Sequence, residues 1–143
     1  MKRTARARSR RVAPAGLREL TELARGARLQ AFAPFSRFKV GAALRTRAGE
    51  VVTGCNIESA SYGLTMCAER VAIFKAVSEG LREFDAIAVV ADSPRPTAPC
   101  GACRQVVWEL AGDIWVHIVD LRGRTRTVRM SELLPLPFDA RNL

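Results

Sequence analysis

Three cysteines and one glutamate carry the chemistry that can be read first. Cys100 and Cys103 form a C-x-x-C pair inside "PCGACRQV", and Cys67 opens "CAER", with 32 residues between it and Cys100. Glu69 follows Cys67 by two positions. A C-x-x-C pair alone fits a redox dithiol, half of a structural zinc site, or two legs of a catalytic one. A redox dithiol needs neither Cys67 nor Glu69. A closed structural zinc site needs four ligands, commonly Cys and His, whereas a catalytic zinc takes three protein ligands and keeps a position for water. Three thiolates beside a carboxylate match the catalytic case. Cys55 is the one other cysteine. It reads as a small buried hydrophobe, and as a fourth ligand it would close the site. His117, the single histidine, lies in the apolar run "IWVHIVD" and reads as a structural strand residue.

The elements that must position these residues follow from periodicity. Pro14 to Ala31 has a helical stripe of Leu17, Leu20, Leu23 or Ala24, and Ala27. "FKVGAALRT" from Phe38 and "VVTGC" alternate as strands around the turn "RAGE", giving a hairpin. Cys67 to about Gly80 reads as a helix with Val71, Phe74 and Val77 on one face. "DAIAVVA" is apolar enough for a strand buried on both faces. A proline-rich loop leads to a helix from about Gly101 to Leu110, then strands in "IWVHIVD" and "TRTVRM", and a short helix around Ser131. This order argues for an α/β sandwich with helices over a mixed sheet. It puts both cysteine motifs where a loop enters a helix, and helix N-termini stabilise thiolates. Three thiolates on Zn²⁺ leave an excess negative charge that works against acidifying a bound water. Arg70 is the first residue to offset it, by hydrogen bonding to sulfur, and Arg104 the second; a surface ion pair is the plainer role for Arg70.

Composition sets the outer limits. The net charge of +9 is concentrated at the start: residues 1–12 hold six Lys or Arg and no acid, and the rest carries seventeen basic and fourteen acidic side chains. The chain therefore divides into a basic arm over 1–12, expected to be disordered and solvated, and one domain over 13–143. The arm could touch nucleic acid through counterion release, but no aromatic is interleaved for base stacking. No apolar run reaches the roughly 20 residues of a membrane span. The basic opening lacks the apolar core of a secretory signal. A cytoplasmic location is expected, where thiols stay reduced.

"VGAAL", "GCNIESASYGLT", "CAER" and "PCGACRQV" together resemble the single-domain, homotetrameric, zinc-dependent cytidine deaminases, over about Ala33 to Leu143. The resemblance implies a three-layer α/β/α sandwich with a mixed five-stranded sheet. It implies one Zn²⁺ per subunit on Cys67, Cys100 and Cys103, with Glu69 as the proton carrier. The reaction implied is hydrolytic deamination of cytidine and 2'-deoxycytidine to uridine and 2'-deoxyuridine, releasing ammonia for pyrimidine salvage. Asn56 and Glu58 of "NIE" match the ribose-binding pair, although Asn is also common in turns. Phe38 matches an aromatic that stacks near the pyrimidine, its plainer role being a core aromatic. Ala68 matches a substrate-lining position. Phe138 matches a C-terminal aromatic that reaches a neighbouring subunit's site, and Tyr62 an inter-subunit contact, so sites are expected to be completed by other chains. The sequence departs from the family at Phe35, where tyrosine is frequent, at Ala98, where serine precedes the proline, and at Pro137, where a small residue is common. At Ala98 only the backbone carbonyl is expected to meet substrate. Two rivals share the chemistry: deamination of another aminopyrimidine nucleoside, and polynucleotide editing. A third, a non-enzymatic zinc module that binds nucleic acid, predicts a closed four-cysteine site that fails when Cys55 is replaced.

Overall fold

A computed structural model describes residues 13–143; the basic arm expected over 1–12 lies outside the described residues. The elements are α1 (Leu17–Arg28), β1 (Val40–Thr46), β2 (Val51–Cys55), α2 (Ala68–Ser78), β3 (Phe84–Ala91), α3 (Gly101–Ala111), β4 (Trp115–Asp120), β5 (Thr125–Arg129) and α4 (Met130–Leu133). Single 3₁₀ turns at Tyr62–Leu64 and Ala140–Asn142 complete the chain. The sheet order is β2-β1-β3-β4-β5, with β3 and β4 parallel and every other pair antiparallel. This is the expected mixed five-stranded sheet.

Alternation in β1 and β3 explains the layers. Ala42 and Leu44, with Ile87 and Val89, face α2 and α3. Ala43, with Ala86, Ala88 and Val90, faces α1. Helices therefore cover both faces, as the α/β/α expectation required. The core depends on small residues at two contacts. A Cβ on Gly41 would sit 2.0 Å from the Ala24 carbonyl oxygen, and a Cβ on Gly54 would sit 2.6 Å from that of Ala68. Glycine there lets α1 rest on β1 and lets the first turn of α2 rest on β2. Leu20, 1% exposed, fills the α1 side; burying such a side chain stabilises by about 1.5–3 kcal/mol.

Three expectations change. The buried face of α2 is Ala68, Glu69, Ala72, Ile73 and Ala76, not the stripe of Val71, Phe74 and Val77, and Phe74 is exposed. Close approach at Gly54 selects the small residues. Strand β1 begins at Val40 rather than Phe38, because Arg37 takes φ 58°, which breaks the extended run before it. Helix α1 is likewise shorter than Pro14–Ala31. No helix among the described residues is long and apolar enough to cross a membrane.

Candidate active site

The parallel crossover β3-α3-β4 brings the start of α3 to the carboxyl end of β3, the usual place for ligands in α/β sheets. Cys100 is the N-cap of α3 and Cys67 the N-cap of α2, both with extended backbone (ψ 166° and 153°). Each cap carbonyl accepts the first helical hydrogen bond, from Arg104 N–H and Val71 N–H, both at 3.0 Å. Cys103 follows in the first turn of α3 and is fully buried. The two helix starts thus present three sulfurs, and these lie within 4.8 Å of one another. Cys67 Sγ is 3.8 Å from Cys100 Sγ, which is 3.5 Å from Cys103 Sγ. Three thiolates around a tetrahedral zinc, with Zn–S near 2.3 Å, stand about 3.8 Å apart. The donor set fits zinc in both type and spacing. Cys55, half-buried at the end of β2, is not in the group.

The electrostatics favour a thiolate at Cys67. The Cys103 thiol hydrogen bond, followed by the Arg70 guanidinium, holds the Cys67 thiol down to about 5 against the opposing effect of burial. The same bond to Cys67, with burial, pushes Cys103 up. Arg70 Nη2 donates to Cys67 Sγ at 3.3 Å, so the expected contact to sulfur is made. Its buried Nε has no hydrogen-bond partner among the described residues. Arg104 does not reach sulfur. Its Nε donates to the Pro99 carbonyl at 2.7 Å and its Nη1 to the Leu133 carbonyl at 3.0 Å, which ties the turn before α3 to the end of α4. A side chain one turn into α3 meets those carbonyls first.

Glu69 lies in the first turn of α2, 5% exposed. Burial pushes its carboxyl up to about 7. It borders a cavity of about 300 Å³, a size suited to small molecules. Cys67 and Cys100 line that cavity with Val89 and Ala91 of β3, and Ala68 and Ala98 contribute apolar surface. Ser36, Phe38, Asn56 and Glu58 make up a further stretch of its wall.

That wall is stitched by hydrogen bonds. Asn56 Oδ1 accepts the Val40 N–H at 2.8 Å, and Asn56 Nδ2 donates to the Phe38 carbonyl at 2.7 Å. Glu58 Oε1 accepts the N–H groups of Phe35 (2.9 Å) and Ser36 (3.1 Å). The Ser36 hydroxyl donates to Glu58 Oε2. Together these hold the Glu58 carboxyl below its ordinary range, Ser36 most strongly. Sequence reasoning missed Ser36; the signal available was a hydroxyl two residues before Phe38 in "APFSRF".

Two expected residues stand outside the cavity of their own chain. Tyr62, 79% exposed, packs edge-on against Phe35 with ring centroids 6.5 Å apart, beside a shallow depression that includes Glu58 and Thr65. Phe138 is 57% exposed, and its carbonyl accepts from Gln105 Nε2 at 2.7 Å. His117 Nδ1 is 2.7 Å from Thr127 Oγ1 across the β4–β5 pair, in the strand position expected of it.

Comparison with known proteins bears on this geometry. Residues 16–118 match the family described as the cytidine and deoxycytidylate deaminase zinc-binding region. The cytidine deaminase of Halalkalibacterium halodurans is 56% identical over 118 residues, which cover 82% of this chain and 89% of that protein. The crystal structure of cytidine deaminase from Burkholderia pseudomallei has a TM-score of 0.83 at 50% identity, covering 85% of this chain and 98% of that one. The blasticidin-S deaminase of Bacillus cereus is 35% identical over 111 residues, covering 72% of this chain and 79% of that protein.

Proposed function

The chain belongs to the zinc-dependent cytidine deaminases, hydrolases that convert cytidine to uridine, and from that premise we propose how its own residues perform the reaction. Cys67, Cys100 and Cys103 would hold the ion. Zinc bound there supplies Lewis acidity that makes water a nucleophile at neutral pH. Glu69 takes a proton from the attacking water and delivers it to N3 of the pyrimidine, which makes C4 electrophilic. The water oxygen bonds to C4, Glu69 carries a second proton to the exocyclic amine, and ammonia leaves. A buried carboxyl raised to about 7 suits a group that must act first as base and then as acid. Arg70 relieves the excess negative charge of three thiolates at Cys67 Sγ.

Asn56 and Glu58 face the sugar, Phe38 and Ala68 the base, and the Ala98 carbonyl the pyrimidine edge. Recognition that leaves the second sugar hydroxyl optional admits 2'-deoxycytidine. The observation that carries this reading is the convergence of three sulfurs within 4.8 Å, two of them on residues that line the same cavity as Glu69. Purified protein with cytidine, followed by the ultraviolet change on conversion to uridine with zinc measured on the same sample, tests it. Turnover with about one zinc per chain is expected; zinc without turnover on cytidine or 2'-deoxycytidine moves the substrate elsewhere.

The blasticidin-S deaminase similarity favours a second reading, deamination of another aminopyrimidine nucleoside. The higher identity to a cytidine deaminase, 56% against 35%, weighs against it. A substrate panel separates the two.

The assembly we propose is a homotetramer. Phe32, Phe35, Ile57, Tyr62 and Leu64 are exposed beside the cavity wall, and Leu136 and Phe138 on the C-terminal segment; such apolar surface marks interfaces. In this arrangement Phe138 and Tyr62 complete a neighbouring site. The mass in solution by sedimentation checks it, and a monomer that turns over at the full rate contradicts it. Residues 13–143 form the catalytic domain and act in the cytoplasm, and the arm of 1–12 is dispensable for nucleoside turnover.

A further inference from the structure

We propose that Ser36 is a positioning residue for substrate binding, aiming the Glu58 carboxylate at the sugar. The inference rests on the reading of Glu58 as acceptor for a sugar hydroxyl.

A carboxylate offers about four acceptor sites. On Glu58 the backbone N–H groups of Phe35 and Ser36 take two, both on Oε1. The Ser36 hydroxyl takes a third, on Oε2. One acceptor site on Oε2 remains for a ligand in the cavity that Glu58 lines. Its direction depends on where Oε2 is held, and the group that holds Oε2 is the Ser36 hydroxyl.

The same hydroxyl is anchored from the other side. The Phe38 N–H donates to Ser36 Oγ at 3.0 Å, across Arg37. Arg37 occupies the left-handed region at φ 58°, a conformation costly for a residue with a side chain. With its proton on Glu58 and a lone pair on Phe38 N–H, Ser36 Oγ links the sugar-facing carboxylate to the backbone of the base-facing aromatic. Asn56 fixes the far side of that segment through the Phe38 carbonyl and Val40 N–H. Ser36 donates nothing to the reacting atoms in this arrangement. Its effect is on the geometry that receives substrate.

The test is steady-state kinetics of the parent, Ser36→Ala and Ser36→Thr on cytidine and on 2',3'-dideoxycytidine, which lacks the 2' and 3' hydroxyls, the ring hydroxyls from which the reading has Glu58 accept. Zinc content and melting temperature are measured on each protein. On cytidine, Ser36→Ala is expected to raise KM about tenfold, the scale of one hydrogen bond to a charged group, with kcat within about threefold of the parent. Ser36→Thr keeps the hydroxyl and is expected to restore KM to within about threefold. On dideoxycytidine the parent KM is already raised, and Ser36→Ala is expected to add less than about twofold. If the parent gives equal KM for the two substrates, the reading of Glu58 fails and the inference with it. If the parent distinguishes them but Ser36→Ala raises both KM values equally, or neither, the Glu58 reading stands and the role given to Ser36 is overturned. A fall in kcat at constant KM overturns it too.

Discussion

The metal end of the site, Cys67, Cys100 and Cys103, is delivered by the N-caps of α2 and α3 and the first turn of α3, whose backbone geometry places each sulfur. The other part of the site, Ser36, Phe38, Asn56 and Glu58, sits on irregular chain held by side-chain hydrogen bonds to backbone. The first end is rigid because two helices docked on the sheet must move for it to change, and Gly54 seats one of them directly on β2. The second end keeps its shape only while a few hydrogen bonds persist. Substitutions at the first should therefore act on metal and rate together, and substitutions at the second on substrate affinity with the metal retained.

The largest effect is expected at the metal end. Cys103→Ser replaces a buried sulfur with a poorer ligand; zinc per chain should fall well below one and turnover by more than about a thousandfold, since the metal carries the water chemistry. Arg70→Gln should leave the three sulfurs in place and weaken zinc retention or turnover by about 10–100-fold, as for other groups that orient metal ligands. A chelator competition assay reads the first quantity and kcat the second. Equal zinc retention and equal kcat would mean the contact to Cys67 Sγ is ornamental.

The wall responds differently. Asn56→Ala removes both the acceptor for Val40 N–H and the donor to the Phe38 carbonyl. KM for cytidine should rise about tenfold, with loss of about 1 kcal/mol of stability from the part-buried groups left without partners, while zinc stays at the parent level. Loss of zinc in this variant would erase the distinction between the two ends.

The order of helices and strands and the C-x-x-C pair were legible because they are written in local periodicity and spacing; the five-stranded, three-layer arrangement and the joining of Cys67 to that pair came from the family resemblance. A C-x-x-C pair at a helix start puts Cys100 and Cys103 on one side of one turn, whatever surrounds them. The short apolar run of β3 reads as a strand of the kind buried on both faces. What was not legible depends on contacts across the chain. Nothing local to α2 says that Gly54 will draw its alanine face inward and leave Phe74 exposed. Nothing in "CRQV" says that Arg104 will find the Pro99 and Leu133 carbonyls before any sulfur. Ser36 was missed because a serine in a loop acquires meaning only when Glu58, 22 positions away, is placed against it.

The smallest predicted effect concerns pH. The Ser36 hydroxyl, then the Phe35 and Ser36 N–H groups, lower the folded-state pKa of Glu58 from its ordinary 4.5. A carboxyl with a depressed folded pKa adds stability that is fully present above the ordinary value and is lost as pH falls through the folded one. The melting-temperature gap between the parent and Glu58→Gln should be constant from about pH 5.5 to 8 and close below 4.5. A gap that widens on acidification would reverse the sign and place the stabilising contacts on the protonated form.

The division between a metal cradle and a proton carrier meets its most direct test in Glu69→Gln, with zinc and cytidine turnover measured on one preparation. The amide that replaces the carboxyl cannot accept and return a proton but has nearly the same shape, so the account predicts about one zinc per chain with kcat reduced by at least about a thousandfold. Loss of zinc would make Glu69 a ligand rather than a carrier. Turnover near the parent rate would place the proton path elsewhere and contradict the account.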